Sequence, residues 1–214
     1  MSLQPVPDDR SMPRRRKRPA FARWTGEVFR ATTYDVPLWV NPNRRDGRWN
    51  IAHRGCTQYM CLDSEAPYAE MLRSEDLRSE ASARTYRIIL WQLRIDESAM
   101  VDYSTFDRAE AAGFDAEALV EDDHERCQAE ASRLRDLGAG GVLSPSAALS
   151  GSVNVTLFGP RVPVGWSSAV TLSSMIPVQR LTEGSAPVGL VDRVRFYGQR
   201  HSLLTDYKAE HRRP

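Results

Sequence analysis

The stretch LSPSAALSG, residues 143–151, sets three serines around a proline and ends in glycine. A serine becomes a nucleophile only when a neighbouring base takes its proton. This segment lacks the G-x-S-x-G elbow that presents such a serine, and no histidine is evidently placed to serve it. Ser144, Ser146 and Ser150 therefore read first as turn or hydrogen-bonding residues. Upstream lie Arg30, Arg48 within GRW, Tyr59 and Glu70. Taken singly these are ordinary: a loop arginine is a solvated charge, a helix glutamate a surface residue, and a strand tyrosine a packing residue. No metal centre is expected. The histidines His53, His124, His201 and His211 are scattered, and none forms the H-E-x-x-H pair that presents two imidazoles on one helical face. Cys56, Cys61 and Cys127 match neither a disulfide framework nor a zinc ribbon and read as buried free thiols.

The elements that must position these residues follow from periodicity. Residues 27–31 read as a short strand ending near Arg30, residues 41–48 as an arginine-rich loop, and residues 58–62 as a strand carrying Tyr59. A helix then starts at Asp63 or Ser64, where a side-chain oxygen can cap it and Pro67 fits the first turn. That helix carries Glu70. The run YRIILWQLRI, residues 86–95, is apolar on both faces and predicts a central strand. Cys127, Ala131, Leu134 and Leu137 recur at helical spacing until Gly138 stops the helix. Residues 141–143 and 153–157 predict two further strands, followed by weaker strand patterns at 168–172 and 188–197. GAGG, residues 138–141, closes a helix and precedes a strand, the reverse of a dinucleotide-binding glycine loop.

A length of 214 residues suits one domain, strands and helices mixed without regular βαβα alternation predict class α+β, and a formal charge of +1 gives no global field for nucleic acid or membrane. Residues 1–22, with the basic run PRRRKRP at 13–19, read as a flexible extension, and residues 23–214 as the domain. No apolar run approaches a membrane span or a secretory signal, which predicts a cytoplasmic protein.

Together, FRA (29–31), DGRWN (46–50), QYMCLDSEAPYAEML (58–72) and DDHERCQAEASRLRDLGAGGVLSPSAALSGSVNVTLF (122–158) resemble, in order and spacing, the RES-domain family. The resemblance covers roughly residues 27–160. It implies a fold similar to ADP-ribosyltransferase toxins: a split central β-sheet flanked by helices, with an NAD-binding cleft. It also implies the toxin of a toxin–antitoxin pair that degrades NAD at the nicotinamide–ribose bond, with phosphate or water as acceptor. The arginine, glutamate and serine that name the family look like Arg30 or Arg48, Glu70 and Ser146.

Such chemistry suits these residue types. Breaking the bond to a cationic leaving group develops positive charge on the ribose, which Glu70 could stabilise or whose acceptor it could orient. Arg30 and Arg48 offer planar forks for pyrophosphate or ribose oxygens, or for an incoming inorganic phosphate. Tyr59 could face nicotinamide or bond the ribose, and Ser146 could fix the substrate or Glu70. The resemblance implies NAD as substrate, no separate cofactor, and a helix-turn-helix (Xre-like) antitoxin that blocks the cleft in a hetero-oligomer and makes any DNA contact. Two alternatives stand beside this reading: a protein ADP-ribosyltransferase using the same cleft, and a non-enzymatic nucleic-acid-binding module using the basic N-terminal run.

Overall fold

The computed structural model describes residues 19–38, 46–159 and 178–211. Six strands form one sheet: β1 (Ala22–Thr32), β2 (Thr57–Cys61), β3 (Ile88–Asp102), β4 (Gly141–Pro145), β5 (Val153–Phe158) and β6 (Val178–Gly184). Their order is β1-β2-β5-β4-β3-β6, and β1 also pairs with β3. The α+β class is as expected. The sheet, however, closes into a five-stranded ring instead of the split sheet the resemblance implied, with β6 attached to β3 outside the ring. Closure depends on the length of β3. From Ile89 to Glu97 it pairs continuously with β1, and past an irregularity again at Met100, while its other edge takes β6 along residues 88–93 and β4, in parallel, along residues 100–102.

The inward side chains of the ring, among them Val28, Met60, Trp91, Leu93, Met100, Val155 and Leu157, form one buried cluster. Helices cover it on two sides. On one, α3 (Phe106–Ala111) and α4 (Glu125–Asp136) bury Leu134, Ala131 and Cys127 with Trp49, Tyr103 and Phe114. On the other, α1 (Ala66–Ser74) and α2 (Glu80–Thr85) pack with Leu190, Val191, Val194 and Phe196. A last helix, α5 (Ser202–His211), closes the described chain.

Several boundaries move for physical reasons. β1 and β3 extend well past the expected 27–31 and 86–95, because a ladder continues wherever backbones meet even when side chains are polar. Thr25 pairs with Asp96 and Glu27 with Arg94, and Arg23 forms an ion pair with Asp96. Helix α1 starts at Ala66 with Glu65 as N-cap and no side-chain cap. Neither expected cap, Asp63 or Ser64, serves; Asp63 instead takes a hydrogen bond from the Ser152 hydroxyl at 2.6 Å. Residues 188–197 are not a strand. Gly189 has φ of 81°, a 3₁₀ turn follows at Val191–Arg193, and the apolar residues pack against α1. β6 has no counterpart among the expected strands, since an edge strand exposed along residues 178–183 carries no alternating apolar signal. The GAGG reading holds: Gly138, at φ 88°, follows α4, with its N–H on the Arg135 carbonyl and that of Ala139 on Leu134. The expected strand at 168–172 and most of the 1–22 extension, including its basic run up to Arg18, lie outside the described residues.

Candidate functional site

The GRW turn is fixed before any ligand is considered. Gly47 and Asn50 exchange backbone hydrogen bonds at 2.9 and 3.1 Å, and Gln128 on α4 donates to the Gly47 carbonyl at 3.0 Å. The Tyr59 hydroxyl accepts from the Trp49 amide at 2.9 Å, close enough that a Cβ at Gly47 would sit 2.8 Å from the same oxygen. Trp49 is buried and donates its indole N–H to Ser144 at 3.3 Å. Arg48, partly buried, sends Nη1 to the Ala118 carbonyl at 3.0 Å and Nη2 to the Glu121 carbonyl at 2.6 Å. Its guanidinium therefore ties the turn to the segment before α4, and the residue also lines the cleft described below.

Glu70 sits in the middle of α1, with Ala66, Ala69, Leu72 and Arg73 buried around it. One carboxylate oxygen, Oε1, accepts two hydrogen bonds of 2.7 Å, from the Ser146 hydroxyl and from Nδ2 of Asn154 on β5. Ser146 is fully buried, and its oxygen also accepts from the amides of Ala148 at 3.2 Å and Leu149 at 3.0 Å. With both amides donating to it, its single proton is left for Glu70. Asn154 is oriented in turn by the Cys61 thiol, 3.3 Å from its Oδ1. Burial first, then Glu70 and Asp63, pushes the Cys61 pKa well up, which keeps it a neutral thiol. One turn beyond Glu70, Arg73 donates to the carbonyls of Ala147 and Arg195, pairs with Asp122 at 2.7 Å, and stacks on Tyr197 at 4.1 Å.

These elements enclose a cleft of about 550 Å³, within the range of small-molecule sites. Arg30, Arg48, Tyr59 and Glu70 all line it, with Asn154, Arg73, His124 and Tyr197. Arg30 is buried at the end of β1, its Nη1 3.4 Å from Oε1 of Gln58. Ser146 lies behind Glu70 and does not line the cleft; its neighbour Ala147 does. Of its two expected contacts, substrate or Glu70, the structure displays the one to Glu70. His124 holds a pKa lowered to about 4, by burial and then by Arg48 and Arg73, so it is neutral at the cleft rim. Among the described residues no group of three or more His, Cys, Asp or Glu is placed to hold a metal ion. No described helix is long and apolar enough to cross a membrane.

Asn154, Arg73, His124 and Tyr197 were not singled out from the sequence. Asn154 looked like the outward polar residue of an alternating strand, yet Thr156 on the same face is fully buried, so β5 is covered on both sides. Arg73 was visible on the Glu70 helix, but nothing local announces that a buried guanidinium will find Asp122 far along the chain.

The RES domain family model matches residues 17–180, wider at both ends than the motifs alone suggested. No curated protein matches the sequence significantly. Among solved structures, a chain of the crystal structure of the M. tuberculosis MbcT-MbcA toxin-antitoxin complex is similar, with a TM-score of 0.56 and 21% identity over 82% of this chain and 91% of that one. That likeness is one of fold. With the ordered motifs, the turn they build and a family match across most of its length, the chain belongs to the RES domain family.

Proposed function

We propose that this protein is the toxin of a toxin–antitoxin pair and that it degrades NAD in the cytoplasm, using a cleft analogous to that of ADP-ribosyltransferases. The observation that carries the reading is the Glu70 carboxylate. One of its oxygens is held by Ser146 and Asn154, on the wall of a cleft that also presents Arg30 and Arg48. The bond between nicotinamide and the ribose C1′ breaks heterolytically. Its electron pair leaves with nicotinamide, which becomes neutral, and the ribose carries the positive charge. Glu70 stabilises that charge directly or through a ribose hydroxyl. Water then adds with loss of a proton to give ADP-ribose, or phosphate adds to give the 1″-phosphate. Arg30 and Arg48, which both line the cleft, suit the pyrophosphate or the acceptor phosphate. Tyr59, tied to the GRW turn, would face the nicotinamide or bond the ribose. A partner antitoxin of helix-turn-helix type would silence the enzyme by covering this cleft, a reading supported by the toxin–antitoxin complex that contains the similar fold.

The test is release of free nicotinamide from NAD by the purified protein, with and without inorganic phosphate. Glu70→Gln is expected to lower turnover by about 100-fold or more, the scale of losing a transition-state electrostatic group. Transfer of labelled ADP-ribose to a protein would move the reading to a protein ADP-ribosyltransferase. Neither release nor transfer would end it.

A further inference from the structure

His201 lies outside the residues assigned above, yet one hydrogen bond from them. It immediately precedes α5, is 3% exposed, and meets Phe106 edge-on with ring centroids 6.1 Å apart. Its Nε2 is 3.1 Å from the carbonyl oxygen of Ser146. A carbonyl only accepts, so Nε2 carries the proton and Nδ1 is bare. Nδ1 is buried and has no hydrogen-bond partner among the described residues. An imidazole with one stranded nitrogen is a poor core filler, because an aliphatic side chain would fill the niche without that penalty. What the ring supplies in return is its bond to Ser146.

Ser146 is anchored at every polar atom. Its N–H donates to the Ser152 carbonyl at 2.9 Å, its Oγ accepts from Ala148 and Leu149 and donates to Glu70, and its carbonyl accepts from His201. We propose that His201 is a positioning residue: as the Nε2–H tautomer it fixes the Ser146 main chain and so holds the Ser146 hydroxyl on Glu70. Burial lowers the imidazole pKa, against the pull of the Ser146 carbonyl and with help from Arg195, Arg73 and Arg48, which keeps the ring neutral. The proposal rests on the NAD-cleaving reading of the same site. It differs in that His201 touches no substrate.

The experiment is a kinetic cycle on the full chain with NAD. His201→Leu is expected to lower kcat about 5- to 10-fold, the kinetic equivalent of one neutral hydrogen bond, with KM unchanged within twofold. His201→Gln, whose amide nitrogen can reach the same carbonyl, should recover most of that loss. In a Ser146→Ala background His201→Leu should cost little more, since the hydroxyl it positions is gone. Additive losses, or a Gln variant as slow as Leu, would overturn the proposal. Should His201→Leu fail to fold, nitrogen NMR of the wild-type histidines decides: an Nδ1–H tautomer or an imidazolium at neutral pH contradicts it. If the wild type releases no nicotinamide, the NAD reading fails by itself, and the same cycle is scored by growth arrest on expression.

Discussion

A carboxylate that is to meet a developing ribosyl cation must be held firmly without being neutralised by an ion pair. Glu70 meets both conditions among the described residues: its hydrogen-bond partners there are the neutral Ser146 hydroxyl and Asn154 amide, both on one oxygen. Removing one neutral donor leaves the other, so Ser146→Ala and Asn154→Ala are each expected to lower kcat about tenfold, far less than Glu70→Gln, as nicotinamide release would measure. A result in which Ser146→Ala matches Glu70→Gln would make the hydroxyl itself a reacting group. The neutral histidines add a pH signature. His124 has a folded pKa of about 4, below the roughly 6.5 of an unfolded histidine, so the unfolded chain binds more protons between those values. Its contribution is complete above about pH 6.5 and is lost as pH falls towards 4, at most on the order of 3 kcal/mol. His201 acts in the same direction. Urea midpoints should therefore fall with acidification across that window, and less steeply in His124→Gln.

At the level of elements, residues far apart in sequence are joined by side chains that clasp main-chain carbonyls. Arg48 is the clearest case. Bonds to the carbonyls of Ala118 and Glu121 join the GRW turn to the approach to α4, while Gln128 holds the turn from α4 itself. Charged donors to partly buried carbonyls contribute more than neutral ones, so Arg48→Ala is expected to cost about 2–4 kcal/mol in urea unfolding besides lowering turnover. Arg48→Lys, with no planar fork to span two carbonyls, should recover only part of the stability. An unchanged unfolding midpoint in Arg48→Ala would confine the residue to ligand binding. This dual role also shows what could be read beforehand. The motif order points to Arg30 or Arg48, Tyr59, Glu70 and Ser146, capping and Pro67 point to α1, and local helix and strand patterns point to α4, β4 and β5. A guanidinium's acceptors cannot be read from spacing, because backbone carbonyls carry no residue identity. The polar half of β3 and the whole of β6 escaped for a related reason: their strand character comes from ladder pairing, not from a buried face.

For the whole molecule, the decisive contribution comes from chain beyond the family match, which ends at residue 180. Leu190, Val191, Val194 and Phe196 are buried against Ala66, Ala69 and Leu72 of α1. The Arg195 amide donates to the Ala148 carbonyl at 2.8 Å, its carbonyl accepts from Arg73, and Leu149 bridges Val194. This segment therefore braces both sides of the Glu70–Ser146 contact, the helix carrying one and the loop carrying the other. The closed ring makes such bracing necessary, since α1 lies outside the ring and its apolar face needs a second cover. Phe196, 4% exposed with Arg78 stacked 5.1 Å from its ring, is the largest side chain of that cover. Phe196→Ala is expected to cost about 3–5 kcal/mol. Hydrogen exchange should then quicken at the Ala148 and Leu149 amides, which bond Ser146, before it quickens within the β1–β3 ladder. Leu181→Ala on the exposed β6 is the comparison, with an expected change within about 0.5 kcal/mol. If Phe196→Ala were as mild as Leu181→Ala, or if exchange rose uniformly, the segment after residue 184 would be an appendage instead of the outer wall of the site.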